Sequence, residues 1–191
     1  MEVDAAPLSP DEIEGIARRI DRPVVLVGMM GVGKSSVGKR LSNLLHCPFV
    51  DADEAIEQAA QMSIPEIFAT FGEAYFRDGE RRVLARLLED GSGLKIIATG
   101  GGAFCCAETR ALILERGMAV WLDADIDTLL ERVGRKDNRP LLQGGDRRQI
   151  LTRLREERRS AYQQAPIHVI SGNGPHSRTI TSILRGIEAW L

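Results

Sequence analysis

The sequence predicts an α/β fold in which a five-stranded parallel sheet is sandwiched between helices. The first observation is that short apolar runs rich in β-branched residues recur along the chain, at residues 23–28, 47–53, 94–100, 118–124 and 165–171. Each run is typical of a short buried strand. The second is that helical patterns separate these runs, and strands that alternate with helices form parallel sheets covered on both faces.

Apolar stripes in the intervening segments predict helices that pack on this sheet. One stripe consists of Val37, Leu41, Leu44 and Leu45, and another of Val83, Leu84, Leu87 and Leu88. Residues 9–12, Ser-Pro-Asp-Glu, resemble a helix start, and a short leading helix would have one apolar face formed by Ile13, Ile16, Ala17 and Ile20. We expect a partly helical extension over residues 1–22, either packed or disordered, and one domain over residues 23–191.

Length and composition bound the class of protein. The chain has 191 residues, 43% apolar and 27% charged, which suits one globular domain with a single core. A net charge of −2 and 5% aromatic residues argue against a nucleic-acid partner. The acidic N-terminal stretch resembles no targeting peptide, and no apolar run approaches the roughly 20 residues that span a bilayer. We expect a cytoplasmic monomer whose three cysteines, Cys47, Cys105 and Cys106, are reduced.

A phosphate-binding loop follows the first strand directly. Residues 28–35, Gly-Met-Met-Gly-Val-Gly-Lys-Ser, fit the pattern GxxxxGK[ST] with a strand before and a helix after. Backbone N–H groups of such a loop surround phosphate oxygens, Lys34 reaches the β- and γ-phosphates, and the Ser35 hydroxyl binds Mg²⁺. The predicted ATP-binding residues here are Gly28, Gly31, Val32, Gly33, Lys34, Ser35 and Ser36.

The third strand lacks the acidic residue that motor ATPases place at its end. That position has Ala98-Thr99-Gly100, and the fourth strand has no base-reading motif of GTPases. The second strand instead ends in Asp51-Ala52-Asp53. In an extended chain residues i and i+2 share one side, so both carboxylates could face the crevice, one toward Mg²⁺ and one toward a substrate hydroxyl. The alternative is that Asp53 caps the helix that follows.

Three consecutive glycines, Gly100, Gly101 and Gly102, follow the third strand. They remove every side chain from a stretch of backbone at the same edge of the sheet, so we expect something to approach it closely. A polyol held by backbone N–H groups would do so, and a plain tight turn is the alternative.

A small carboxylate is the ligand suggested by residues 68–80. Arg77 and Glu80 are spaced i, i+3 on a helix, so Glu80 can hold the guanidinium in one orientation. Phe68 and Phe76 could wall an apolar pocket around this cation, although the pair alone would be an ordinary surface pair.

The basic segment 134–148 lies between two helical patterns. It predicts a mobile lid, with a solvated connection as the alternative. Arg139 in this loop could offset transition-state charge. The other arginines that follow it, including Arg153, Arg155 and Arg159, are expected on solvated helix faces.

Together these elements resemble the shikimate kinase family, which has the nucleoside monophosphate kinase-like P-loop fold. The similarity covers about residues 23–190 and includes the phosphate loop, the paired aspartates, residues 71–80, the three glycines, Arg139-Pro-Leu-Leu, and Arg158 four residues before Tyr162. An extension of about 20 residues and Ser36, where Thr is usual, depart from the family pattern.

The resemblance implies ATP-dependent phosphorylation of shikimate and a role for each matching residue. Asp53, Arg77, Gly101 and Arg158 would bind shikimate, with Glu80 orienting Arg77. Lys34, Ser35 and Asp51 would serve phosphate and Mg²⁺, Asp51 through water. Arg139 would contact the transferred phosphate from the lid, and Arg132 and Pro175 would enclose adenine.

Two alternatives stay open at this point. A related kinase acting on gluconate would need the same combination of a cation and a carboxylate, although the set of Asp53, Arg77, the glycines and Arg158 favours shikimate. A nucleotide-binding regulatory protein without catalysis would bind ATP and turn over no acceptor.

Overall fold

The computed structural model describes residues 7–89, 93–134 and 145–191. The strands are β1 (Val24–Val27), β2 (Phe49–Asp51), β3 (Ile96–Ala98), β4 (Met118–Asp123) and β5 (Ile167–Ile170). The helices are α1 (Pro10–Arg19), α2 (Lys34–Leu44), α3 (Ala52–Ala60), α4 (Ile64–Glu89), α5 (Ala107–Arg116), α6 (Ile126–Gly134), α7 (Arg147–Tyr162) and α8 (His176–Trp190). A 3₁₀ turn at Ala103–Cys105 precedes α5.

The five strands form one parallel sheet in the order β2-β3-β1-β4-β5. This confirms the predicted fold class. The phosphate loop follows β1, the central strand, and the loops after the other four strands emerge at the same edge. In open α/β sheets this carboxyl edge is where ligands bind.

Apolar strands and helix stripes meet in one main core. All four residues of β1 have no exposed surface, and Leu41, Leu84 and Leu88 pack against the sheet from the helices. The predicted stripe on α2 is narrower than expected, because Leu44 is 39% exposed. A second, smaller cluster consists of Ile56, Ile67, Phe76 and Val83, and it joins α3 to α4.

The leading helix belongs to the main core. Ser9 and Glu12 form a reciprocal capping box at the start of α1, as the sequence pattern predicts. Ile16 and Ile20 are 2% and 5% exposed and lie in the main core, and Glu12 forms an ion pair with Arg185 of α8. The described part of the extension therefore packs against the domain.

The predicted lid falls mostly on residues 135–144, which lie outside the described residues, as does Arg139. Its predicted bounds of 134–148 overlap the neighbouring helices, because Gly134 ends α6 and Arg147 begins α7. Within the described ranges, no helix is both long enough and apolar enough to cross a membrane.

Candidate active site

The phosphate loop has the backbone shape that its glycines allow. Gly28 has a φ of 137°, and a Cβ there would lie 2.2 Å from the carbonyl oxygen of Leu122. Gly33 has a φ of 96° and precedes the first residue of α2, so the N-terminus of that helix opens into the loop. The Nζ of Lys34 donates to the carbonyl oxygens of Gly28 at 2.8 Å and Met29 at 3.0 Å. The ammonium group is thereby held over the loop.

Ser35 and Asp51 form a hydrogen-bonded pair beside this loop. The Ser35 hydroxyl donates to Oδ2 of Asp51 at 2.7 Å, while Oδ1 accepts from the backbone N–H of Asp53 at 3.1 Å. Asp51 is thus both the N-cap of α3 and the partner of Ser35. Serine and carboxylate oxygens suit Mg²⁺, which usually takes one or two such ligands and completes its shell with phosphates and water.

Asp53 lies in the first turn of α3, so the prediction that it extends from a strand is wrong. The strand ends at Asp51, because the Asp51 side chain caps a helix that begins at Ala52. The alternative, that Asp53 caps this helix, is also wrong, since Asp51 is the N-cap. Burial raises the pKa of Asp53, the neighbouring Asp51 raises it further, and Lys34 opposes both effects.

The three glycines leave room for the side chains of the site itself. A Cβ at Gly100 would lie 2.7 Å from Oδ1 of Asp53, and one at Gly102 would lie 2.6 Å from Nη2 of Arg77. At Gly101 it would lie 3.2 Å from the backbone nitrogen of Met30. Contacts under 3.0 Å are essentially never seen for real Cβ atoms. The side chains of Asp53 and Arg77 therefore approach Gly100 and Gly102 closely, and the approach of a polyol stays a prediction.

Arg77 is oriented by a buried carboxylate, as its spacing predicts. Its Nη1 donates to Oε2 of Glu80 at 2.7 Å, and the Glu80 side chain is 1% exposed. Burial raises the pKa of Glu80, and the bond to Arg77 opposes this. Burial is the largest single effect on Arg77 and works against its charge, but the hydrogen bonds and charges of Glu80 and Glu73 together raise the pKa of the guanidinium. The hydrogen bond to Glu80 therefore holds the Arg77 guanidinium in one orientation.

The two phenylalanines pack against each other beside Arg77. The rings of Phe68 and Phe76 are 4.7 Å apart, and the guanidinium carbon of Arg77 lies 5.2 Å from the Phe76 ring centre. Phe76 is 5% exposed within the second core cluster. The groove of about 250 Å³ that Phe76 does line, between α3 and α4, includes neither Arg77 nor Phe68.

Arg158 and Tyr162 reach the same glycines from α7. Nη1 of Arg158 donates to the carbonyl oxygen of Gly101 at 3.0 Å, and the Tyr162 hydroxyl donates to the same oxygen at 2.5 Å. Burial raises the pKa of Tyr162, so its phenol stays protonated and keeps donating. Two arginines from different helices therefore meet the glycine segment at adjacent residues, Gly101 and Gly102.

The predicted nucleotide side lies across the phosphate loop. Arg132 donates to the carbonyl oxygens of Val32 at 3.0 Å and Gly172 at 2.5 Å. The Ser171 hydroxyl donates to the same Val32 oxygen at 2.9 Å. Pro175 is exposed and is the N-cap of α8, and Ser36 is exposed on α2. Ser171 thus contacts the phosphate loop, and the sequence did not indicate this because the loop that holds Ser171 has no recognisable motif.

One further ion pair lies at this edge of the sheet. Arg155 of α7 contacts Asp123, the last residue of β4, with both ends of its guanidinium fork. Arg155 is not a purely solvated residue, because its side chain is 38% exposed while its guanidinium binds the buried Asp123 carboxylate. The sequence offers no signal for this pair because 32 residues separate its members.

Comparisons with known proteins agree with this geometry. A family model described as shikimate kinase matches residues 30–188. A shikimate kinase of Novosphingobium aromaticivorans is 67% identical over 193 aligned residues that cover 100% of both chains. One of Caulobacter vibrioides is 55% identical over 167 residues, which cover 87% of this chain and 82% of that protein.

Solved structures give the same family. The shikimate kinase of Acinetobacter baumannii in complex with shikimate superposes with a TM-score of 0.81 at 35% identity, covering 95% of this chain and 98% of that one. A gluconokinase from Sinorhizobium meliloti, with a TM-score of 0.60 and 17% identity over 91% of this chain and 95% of its own, shares the fold alone. From the matched motifs, the site geometry and these relatives, this chain belongs to the shikimate kinase family.

Proposed function

We propose that this protein transfers the γ-phosphoryl group of ATP to a ring hydroxyl of shikimate, giving shikimate 3-phosphate. One observation supports this proposal above the others. Asp53, Arg77 and Arg158 converge on residues 100–102, at the sheet edge that also carries the phosphate loop. The Asp53 carboxylate can bind a hydroxyl of the substrate, and the two guanidinium groups can bind its carboxylate. Together they suit a small hydroxylated acid.

Positioning of ATP falls to the phosphate loop and Lys34. The ammonium group now bonded to the carbonyl oxygens of Gly28 and Met29 would turn to the phosphate oxygens without leaving the loop. Ser35 and Asp51 would hold Mg²⁺, directly and through water, and the ion would supply positive charge beside the phosphates. Arg132 and Pro175 would enclose adenine.

Asp53 would accept a hydrogen bond from the attacking hydroxyl. Its raised pKa brings its basicity closer to neutral pH, which suits a group that receives a proton during transfer. A carboxylate that only orients the hydroxyl would need the same position. Phosphoryl transfer depends chiefly on positioning and charge stabilisation. In either role Asp53 accepts from the hydroxyl, so its carboxyl group has to be ionised.

Arg77 and Arg158 would bind the substrate carboxylate. Glu80 fixes the first guanidinium and the Gly101 carbonyl fixes the second, so little side-chain entropy remains to be lost on binding. Arg139, in the predicted lid, would approach the transferred phosphate and offset its developing charge. Lid closure would also keep water from the γ-phosphate.

The experiment is Mg²⁺-dependent ADP release by the purified protein with shikimate, with gluconate and with no acceptor. The proposal predicts saturable release with shikimate alone. Release with gluconate alone would keep the chemistry and overturn the acceptor assignment. ATP binding without acceptor-dependent release would favour the regulatory alternative.

A further inference from the structure

Asp123 is held at the end of β4 from several directions. Nε and Nη2 of Arg155 donate to its two carboxylate oxygens at 3.2 and 2.8 Å. Oδ1 also accepts from the backbone N–H of Ala124 at 2.9 Å. The Asp123 side chain is 8% exposed, and Nε2 of His168 lies 3.8 Å from Oδ2. The carboxylate is therefore nearly removed from water and has a bidentate cation as its main partner.

This ion pair lies on the face of α7 that carries the acceptor residues. Arg155 precedes Arg158 by three residues and Tyr162 by seven, which places all three on one side of the helix. Tyr162 also stacks on Trp121 of β4, with ring centres 5.8 Å apart. The helix thus contacts β4 at two points, through Asp123 and through Trp121, and Arg158 lies between them.

An ordinary surface pair on the same helix shows the contrast. Arg153 and Glu157 lie 3.6 Å apart through one contact, with side chains 69% and 58% exposed. Exposed pairs of this kind add little to stability or position. A bidentate pair whose carboxylate is buried has a fixed geometry, and removal of one partner leaves a charge without compensation.

We propose that Arg155 is a positioning residue for the acceptor site. Its bidentate contact with Asp123 fixes α7 against the sheet. The position of α7 in turn sets the position of the Arg158 guanidinium, which receives the substrate carboxylate. This inference rests on the proposed role of Arg158. Arg155 itself contacts Asp123, whereas Arg158 contacts the glycine segment, so Arg155 acts through the helix.

The test compares Arg155→Leu with the matched control Arg153→Leu on the same helix. Steady-state kinetics should show a KM for shikimate raised about tenfold in Arg155→Leu, since small misplacements of a binding group have effects of this order or larger. The KM for ATP should change less than about twofold, because the phosphate loop is unaffected. Arg153→Leu should match the wild type in both constants.

A thermodynamic cycle with Asp123→Asn separates positioning from general loss of structure. If Arg155 acts through Asp123, the double variant should have a shikimate KM no higher than the worse single variant. Arg155→Lys, which keeps the charge and loses the fork, should fall between Arg155→Leu and the wild type.

Each remaining outcome has one meaning. An unchanged shikimate KM in Arg155→Leu, with a wild type that phosphorylates shikimate, would overturn the positioning role alone. Equal increases in both KM values would also overturn it, because a loosened fold affects both substrates. If the wild-type protein does not phosphorylate shikimate, the proposed function is overturned instead.

Discussion

At Gly100 and Gly102, other side chains of the protein occupy the space that a side chain at these positions would fill. The atoms nearest the missing Cβ positions belong to Asp53 and Arg77, the two residues to which we assign substrate binding in the proposed function. A side chain at Gly100 would therefore displace Asp53, and one at Gly102 would displace Arg77. Gly100 and Gly102 therefore leave space for the side chains of Asp53 and Arg77.

Gly102→Ala tests this account at one residue. The new methyl group would meet the Arg77 guanidinium, so the KM for shikimate should rise about tenfold while the KM for ATP stays the same. The control is Gly79→Ala on α4, where a Cβ would meet nothing within 4 Å. That variant should keep wild-type kinetics and gain about 0.5–1 kcal/mol of stability from its helix position. Equal kinetics in both variants would contradict the account.

The raised pKa of Asp53 predicts a pH-dependent stability difference. Because folding raises this pKa, the group favours the folded state below its unfolded pKa, and that contribution is lost as pH rises through the folded pKa. At neutral pH the buried charge therefore costs stability, and Asp53→Asn removes it. Thermal unfolding should show a higher Tm for the variant at pH 7, by about 2–4 °C for each kcal/mol relieved.

Lowering the pH provides the control for this measurement. At a pH below the pKa of Asp53 in the unfolded state, residue 53 is uncharged in the wild type and in the variant. The Tm difference should therefore vanish. A difference that persists unchanged in acid would show that packing, and not charge, is its cause.

The sequence did not predict the backbone setting of Asp53, which lies in the first turn of α3. A run of apolar residues before Asp51-Ala-Asp53 is compatible with a strand through both aspartates. The boundary between β2 and α3 depends on which aspartate caps the helix. Aspartate is a favoured N-cap residue, so the sequence alone allows either Asp51 or Asp53. The choice is made by the tertiary contact between Asp51 and Ser35, which local sequence does not contain.

At the scale of elements, α1 and α7 show which contacts a local pattern can predict. The capping box at Ser9 specifies where α1 starts, and its apolar face indicates that it packs somewhere. Its place beside α8 could not be predicted, because nothing local specifies the partner. On α7 the position of Arg155 depends on its contact with Asp123 in a distant strand, which no local pattern indicates.

Ile16→Ala tests whether α1 contributes to the main core. Ile16 is 2% exposed, and loss of such a side chain should lower the free energy of unfolding by about 2–5 kcal/mol. Chemical denaturation measures this, and both KM values should stay unchanged because the site lies elsewhere. The control is Glu14→Ala, which removes only an exposed pair with Arg18 and should cost less than about 1 kcal/mol. Equal losses in both variants would contradict a core role for α1.

Across the whole molecule, the sheet order brings distant segments to one edge. The five strands and their parallel direction follow from the alternation of patterns, whereas the order β2-β3-β1-β4-β5 does not. That order places β3 beside both β1 and β2, so the glycines lie between the phosphate loop and the paired aspartates. The acceptor site is a product of this arrangement and of α7 reaching it from residues nearly sixty positions later.

The most direct test of this arrangement separates the two halves of the site with Asp53→Asn. ATP affinity, measured by calorimetry with Mg²⁺ present, should stay within about twofold of the wild type, since Lys34, Ser35 and Asp51 are unchanged. Turnover of shikimate should fall about a hundredfold or more, as expected when a group that receives or orients the transferred proton is lost. A variant that keeps wild-type turnover would contradict the acceptor site described here.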